Sequence, residues 1–141
     1  MKLDLEKSSQ IIAGALALGA ELNAPPLTVA VLDAGGHLKA FKRQDDASIM
    51  RIDIAIAKAW GAIGMGMSSR VLGDVANERP AFMSALTTMA HGNLVPVPGG
   101  VLIRDAENSI IGAVGITGDT SEIDEQCALA GILYAGLRAE A

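Results

Sequence analysis

The sequence predicts an α/β (α+β) fold built on an antiparallel sheet, and three observations carry that expectation. Segments of helical and strand periodicity alternate along the chain. Two pairs of strand segments are joined by short turns, which is the connection antiparallel neighbours use. Too few strand-helix-strand units occur for a doubly wound parallel sheet. With 141 residues the chain can bury one core but not two ordinary ones, so a single domain spanning 1–141 is expected.

The first element is a helix from Asp4 to Leu22, where Leu5, Ile12, Leu16 and Gly19 or Leu22 recur at helical spacing behind Asp4 as N-cap. Pro25 and Pro26 stop it, and the β-branched run Leu27 to Leu32 reads as the first strand. Asp33-Ala34-Gly35-Gly36 supplies turn chemistry, and His37 to Arg43 returns as the second strand. After a polar loop, Ser48 is the expected cap of a helix reaching Gly64, with Ile49, Ile52, Ile56 and Trp60 or Ile63 on one face. Alanines widen that face, so this helix is apolar over more of its surface than one sheet can cover.

Ser68 or Ser69 opens a short helix to about Ala76, and Pro80 suits the first turn of another ending near Met89. Leu94 to Val97 reads as an edge strand, because Pro96 and Pro98 cannot donate to a central ladder. Gly99-Gly100 turns the chain into strands Val101 to Arg104 and Ile110 to Thr117. Asp119, Thr120 or Ser121 caps a last helix carrying Ile123, Cys127, Ala130 or Gly131, Tyr134 and Leu137 on one face. Ser121 and Asp124 have capping-box spacing.

Composition excludes several classes of function. A formal charge of -5 with no basic cluster argues against a nucleic-acid partner, whose phosphates need Lys and Arg. The apolar run Ile11 to Ala20 is too short to span a bilayer, so no membrane partner is expected. It has the length of a signal-peptide core, yet Lys2 and Lys7 are matched by Asp4 and Glu6, and a cytoplasmic protein is expected. Cys127 is the only cysteine, so the chain can form no internal disulfide, and it sits mid-helix where thiols are inert. No Ser-His-Asp order, HExxH motif or Cys-His arrangement points to a nucleophilic or zinc enzyme.

Four runs carry a resemblance: VAVLDAGGHLKAFKR, SIMRIDIAIAKAW, VPVPGGVLIRD and IIGAVGITGDTSEIDEQCALAG. They cover most of the chain, and in this order they resemble the GlcG/HbpS family, which includes the C-terminal domain of PduO-type corrinoid adenosyltransferases. The resemblance implies a profilin-like sheet flanked by helices and assembly into dimers or larger rings. It also implies haem as a candidate cofactor, since members are described as haem binding, as corrinoid-enzyme appendages, or as products of glycolate-utilisation clusters. Shared fold does not by itself fix shared activity.

His37 follows the glycine turn, where a neutral imidazole can ligate iron or act as a base, and the family's pattern often carries histidine there. A solvated hairpin histidine is the plainer alternative. The candidate cofactor contacts are His37, Gly36, Thr117 and Gly118, with His37 also the candidate metal ligand; Arg104 and Gly100 are the candidate substrate contacts. Glu122, Asp124 and Glu125 can supply paired carboxylates or, with His37, metal ligands, but as first-turn acids they are expected as stabilising charges on the helix dipole; Arg104 is a surface ion pair if not a clamp. His91 can cap a helix end, and Met50, Met65, Met67, Met83 and Met89 are core filler or soft ligands.

Two functions follow. One is a homo-oligomeric small-molecule binder, a haem or tetrapyrrole being the candidate ligand. The other is an enzyme acting on a small organic acid, with His37 as acid/base and Arg104 or the Gly118 junction holding the carboxylate. Both expect at least two of the turns at Gly36, Gly99-Gly100 and Gly118 to border one concave site walled by the Met-rich insert.

Overall fold

A computed structural model describes residues 1–141. The elements run α1 (Leu5–Glu21), β1 (Thr28–Asp33), β2 (Leu38–Arg43), α2 (Arg51–Met65), α3 (Ser69–Glu78), α4 (Pro80–Met89), β3 (Gly100–Arg104), β4 (Ile110–Thr117), α5 (Ser121–Tyr134) and β5 (Arg138–Glu140). All strand pairs are antiparallel, in the order β2-β1-β4-β3-β5. The α+β class and the antiparallel sheet expected from the sequence are what the chain forms.

Alternation along the strands divides the core into two layers. Val29, Val31, Val101, Ile103, Val114 and Ile116 face α1 and α5, where Ile11, Ile12, Cys127 and Ile132 meet them. Leu32, Leu102 and Ala113 face the other way, against Ala59 and Ala62 of α2. Helices α3 and α4 form a satellite cluster around Leu72, Met83 and Leu94. No helix is long and apolar enough to cross a membrane.

The inward face of α2 is led by the small residues rather than by the expected isoleucine stripe, with Trp60 and Ile63 packed beside them. Ala55, Ala59, Gly61 and Ala62 are buried, while Ile49 and Met50 are 80% and 68% exposed and Ile52, Ile56 and Ile63 are only partly covered. The reason lies in the sheet. Gly115 lacks a side chain where β4 passes beneath α2, so the Ala55 carbonyl and the Ala59 amide rest directly on the strand. Only small residues permit so close an approach. Gly115→Ala is accordingly expected to cost about 1–3 kcal/mol, read as a lower urea midpoint, because the obstructing atoms are backbone and cannot turn aside.

Other departures have local causes. Ser48 does not cap α2: the N-cap is Met50, which gives no side-chain bond, and Ser48 offers its carbonyl to the Arg51 amide at 3.1 Å. Thr120 caps α5, accepting from the Ile123 N–H at 3.3 Å, so the Ser121-Asp124 box is not formed. Residues 94–97 form no strand. Leu94 is buried with α3 and α4 instead, and the edge beside β3 is taken by β5. The last helix stops at Tyr134 rather than continuing through Leu137, because Gly136 adopts φ 76 and turns the chain back into β5. Tyr134 is consequently 68% exposed.

Candidate functional site

The turn between β1 and β2 is organised by one carboxylate. Asp33 Oδ1 accepts from the Gly35 N–H at 2.9 Å and the His37 N–H at 3.0 Å, and His37 Nδ1 lies 3.2 Å away. The His37 amide, foremost among these donors, holds the Asp33 carboxyl below the usual carboxylate range. An ionised carboxylate can only accept, so the Nδ1 that approaches it carries the proton. In the neutral imidazole this leaves Nε2 as a free lone pair. The His37 side chain is 81% exposed, so that nitrogen is open to a ligand.

Beside His37 lies a cleft of about 480 Å³. Lys2 and Lys39 contribute cations, Leu3 and Ile111 an apolar floor, and Asp33 and His37 the remaining polar wall. On the α2 side of the same turn, a side chain at Gly36 would sit 3.1 Å from Trp60 Nε1. Trp60 in turn closes a small apolar cavity of about 120 Å³ with Met65, Leu86, Met89 and Leu94. Through this indole the Met-rich insert reaches the turn. No three His, Cys, Asp or Glu side chains converge anywhere, so a metal at His37 would find fewer than three such ligands there.

The other candidates lie elsewhere. Thr28 pairs with Thr117 and Asp33 with Gly112, which puts Thr117 and Gly118 at the opposite end of the sheet, roughly 17 Å of strand from the His37 turn, and Gly100, which pairs with Gly115, roughly 10 Å along it. Thr117 is buried, its hydroxyl accepting from Arg51 at 2.6 Å. Gly100 lies under the Lys58 carbonyl and bonds Ser69 Oγ through its N–H at 2.6 Å, and Gly118 abuts the Pro26 carbonyl. No cavity is lined by Gly36, Gly100, Thr117 or Gly118. The turns at Gly99-Gly100 and Gly118 share an end of the sheet without enclosing a cleft there. Arg104 pairs with Glu140 and donates to the Asn108 carbonyl at 2.8 Å, three strands from His37. His91 ends α4 at φ 54 and lines no cavity.

Two acids expected to sit on a helix dipole are instead buried partners. Asp124 is 1% exposed and meets Lys58 Nζ at 3.2 Å, while Lys58 also donates to the Ile116 carbonyl at 2.8 Å. Burial pushes the Lys58 ammonium below the usual lysine range and the Asp124 carboxyl above the usual carboxylate range. Glu125 takes a forked bond from Arg70. Sequence reasoning passed over Lys58, although a lone charge within the apolar run IAIAKAW was a signal available to it. Cys127 is buried, and burial pushes its thiol up to about 11, which makes it a poor nucleophile.

Comparison with known proteins places this architecture. The family described as "Haem degrading protein HbpS-like" matches residues 3–133. Protein GlcG of Escherichia coli K12 is 35% identical over 123 residues, covering 83% of this chain and 85% of GlcG. Corrinoid adenosyltransferase PduO of Citrobacter freundii is 27% identical over 138 residues, 98% of this chain, but this chain spans only 40% of PduO's length. Among solved structures, a "PduOC:Heme Complex" superposes with a TM-score of 0.89 at 25% identity, each chain fully covered. HbpS itself gives 0.80 at 22% identity over 94% of this chain and 89% of HbpS, a likeness of fold.

Proposed function

The chain belongs to the HbpS-like family, and from that premise we propose that it is a small-molecule-binding protein whose ligand is a haem or related tetrapyrrole held through His37. The observation that carries this reading is the Asp33-His37 pair. It presents an imidazole whose Nε2 is free, oriented and exposed, beside a cleft with two lysines over an apolar floor. That donor set fits a tetrapyrrole. His37 would hold the iron, Lys2 and Lys39 would pair with carboxylate side arms, and Leu3 and Ile111 would pack against the ring. A relative of this fold has been solved in complex with haem. When bound, the haem supplies an iron centre able to exchange ligands and electrons; the protein's own part is to bind, orient and partly cover it.

The alternative, an enzyme on a small organic acid, keeps His37 as base but loses its proposed carboxylate holders, since Arg104 is engaged with Glu140 and Gly118 lies at the far end of the sheet. The test is an absorbance titration with hemin: a stoichiometric Soret band in the wild type, weakened and shifted in His37→Ala, supports the reading. An identical spectrum and affinity in His37→Ala overturns it.

Self-association belongs to the same proposal. The outer edge of α2, from the exposed Ile49 and Met50 to the half-covered Ile52 and Ile56, is apolar, and a second copy is the proposed cover. Light scattering at micromolar concentration is expected to give at least a dimer, with Ile49→Lys/Ile56→Lys shifting it to monomer. A wild-type monomer refutes this part.

A further inference from the structure

Where the Met-rich insert meets the end of α2, the chain leaves an apolar cavity of about 120 Å³ unfilled. Leu94 is its buried floor, Trp60, Met65 and Leu86 are half-buried walls, and Gly64 and Met89 stand exposed at the rim. No charged side chain lines it. The Trp60 indole turns its Nε1 towards Gly36 and its Cζ3 and Cε3 edge towards Gly64, so the cavity meets carbon rather than the N–H. Water, which needs roughly two to four polar partners, is poorly held by such a lining.

Two further observations show that the space is kept open at some cost. Gly64 lies inside α2 without a positive φ, and a Cβ built on it meets only Trp60 Cζ3 at 3.6 Å and Cε3 at 3.9 Å, which is ordinary contact. Alanine would fit there and would favour the helix, so what the glycine preserves is the room above the indole. Met89 supplies the second observation. Thioether chains commonly fill irregular gaps in a core, yet Met89 is 72% exposed at the rim and the gap beside it stays open.

We propose that this cavity is a binding site for a small, neutral molecule built on a single aromatic ring. Its size sets the upper limit: an engineered apolar cavity of about 150 Å³ admits benzene, and about 120 Å³ with an open rim takes one ring and not two. The lining sets the chemistry. The edge of the Trp60 ring and the sulfurs of Met65 and Met89 favour an aromatic guest over a saturated one, through edge-to-face and sulfur-ring contacts. A charged substituent would lose water and find no partner in the lining, which selects a neutral guest. The cavity shares no lining residue with the cleft beside His37 and does not depend on the tetrapyrrole reading.

The test is a titration of the full chain with toluene, read by the emission of Trp60, the only tryptophan, and by the thermal midpoint, which a ligand of the native state raises. Both are expected to respond saturably. Gly64→Leu is expected to weaken toluene binding by about tenfold or more and Gly64→Ala by about threefold or more, since each added carbon takes space from the ring. The thermal midpoint of ligand-free Gly64→Ala should be unchanged or raised, so this variant carries the test if Gly64→Leu fails to fold. Benzoate, which adds a charge, and methylcyclohexane, which lacks the aromatic face, are each expected to bind about threefold or more weaker than toluene. His37→Ala is expected to leave the toluene titration unchanged. Absence of a saturable response, wild-type affinity in either folded Gly64 variant, benzoate or methylcyclohexane binding as tightly as toluene, or loss of toluene binding in His37→Ala overturns the proposal.

Discussion

Lys58→Met is expected to destabilise the protein by about 3–5 kcal/mol, whereas Lys58→Met combined with Asp124→Asn should recover most of that loss. The single replacement strands a carboxylate that is 1% exposed, and the low-polarity surroundings that make the pair attract strongly make the survivor expensive. Asparagine at 124 removes the stranded charge and can still accept the Asp119 N–H, which Asp124 Oδ1 now takes at 2.9 Å. Urea unfolding of the four proteins gives the coupling directly. The pH dependence has a defined sign. Asp124 titrates above its unfolded value in the native protein, so the native state binds the extra proton and is favoured below that raised pKa, losing the advantage as pH rises through it. Removing Lys58 removes an attraction that had opposed this shift, so the gap between Lys58→Met and the double variant is expected to shrink as pH falls from 7 towards 4. Lys58 adds the converse at high pH: its native pKa lies below the unfolded value of 10.5, so wild-type stability gains as pH rises between the two. A gap independent of pH would mean that Asp124 is not the stranded group.

What could be read from the chain was what its local chemistry determines. Helix α1 behind Asp4, the Asp33-His37 hairpin and the β3-β4 pair each rest on residues a few positions apart, and each formed where expected. The period of α2 was legible too, but not which face turns inward. That choice is made by Gly115, sixty residues after Ala55, whose bare backbone admits alanines and leaves Ile52 and Ile56 only partly covered. The short β5 was invisible for the same reason, because three residues carry no periodicity and their strand exists only through pairing with β3. The candidate site was legible in part. Turn residues followed by histidine located Asp33, Gly35 and His37 together, since their contacts span at most four positions. Grouping them with Thr117, Gly118 and Gly100 required knowing which end of the sheet each turn occupies, and that follows only from the strand order. The Lys58-Asp124 pair, 66 positions apart, depends on side chains from helices on opposite faces of the sheet reaching each other past the end of β4, and left no pattern in either segment alone.

The Asp33-His37 pair yields the sharpest expectation for ligand binding, because its two members have separable tasks. His37→Ala removes the nitrogen that would ligate iron and is expected to have the largest effect on hemin affinity and on the Soret band. Asp33→Ala leaves the imidazole in place but frees it to rotate and to carry its proton on either nitrogen, and second-shell losses of this kind typically weaken metal binding about 10–100-fold. Asp33→Asn should fall between Asp33→Ala and the wild type. Its side-chain carbonyl can still accept the Gly35 and His37 amides and so keep the turn, while the negative charge that favours protonated Nδ1 is gone. A hemin titration of the four proteins at pH 7, with circular dichroism confirming equal folding, tests the ordering wild type, Asp33→Asn, Asp33→Ala, His37→Ala. If Asp33→Ala binds hemin as tightly as the wild type while His37→Ala does not, the imidazole acts without help from its carboxylate. If neither substitution matters, iron is held elsewhere and the exposed histidine serves only the turn.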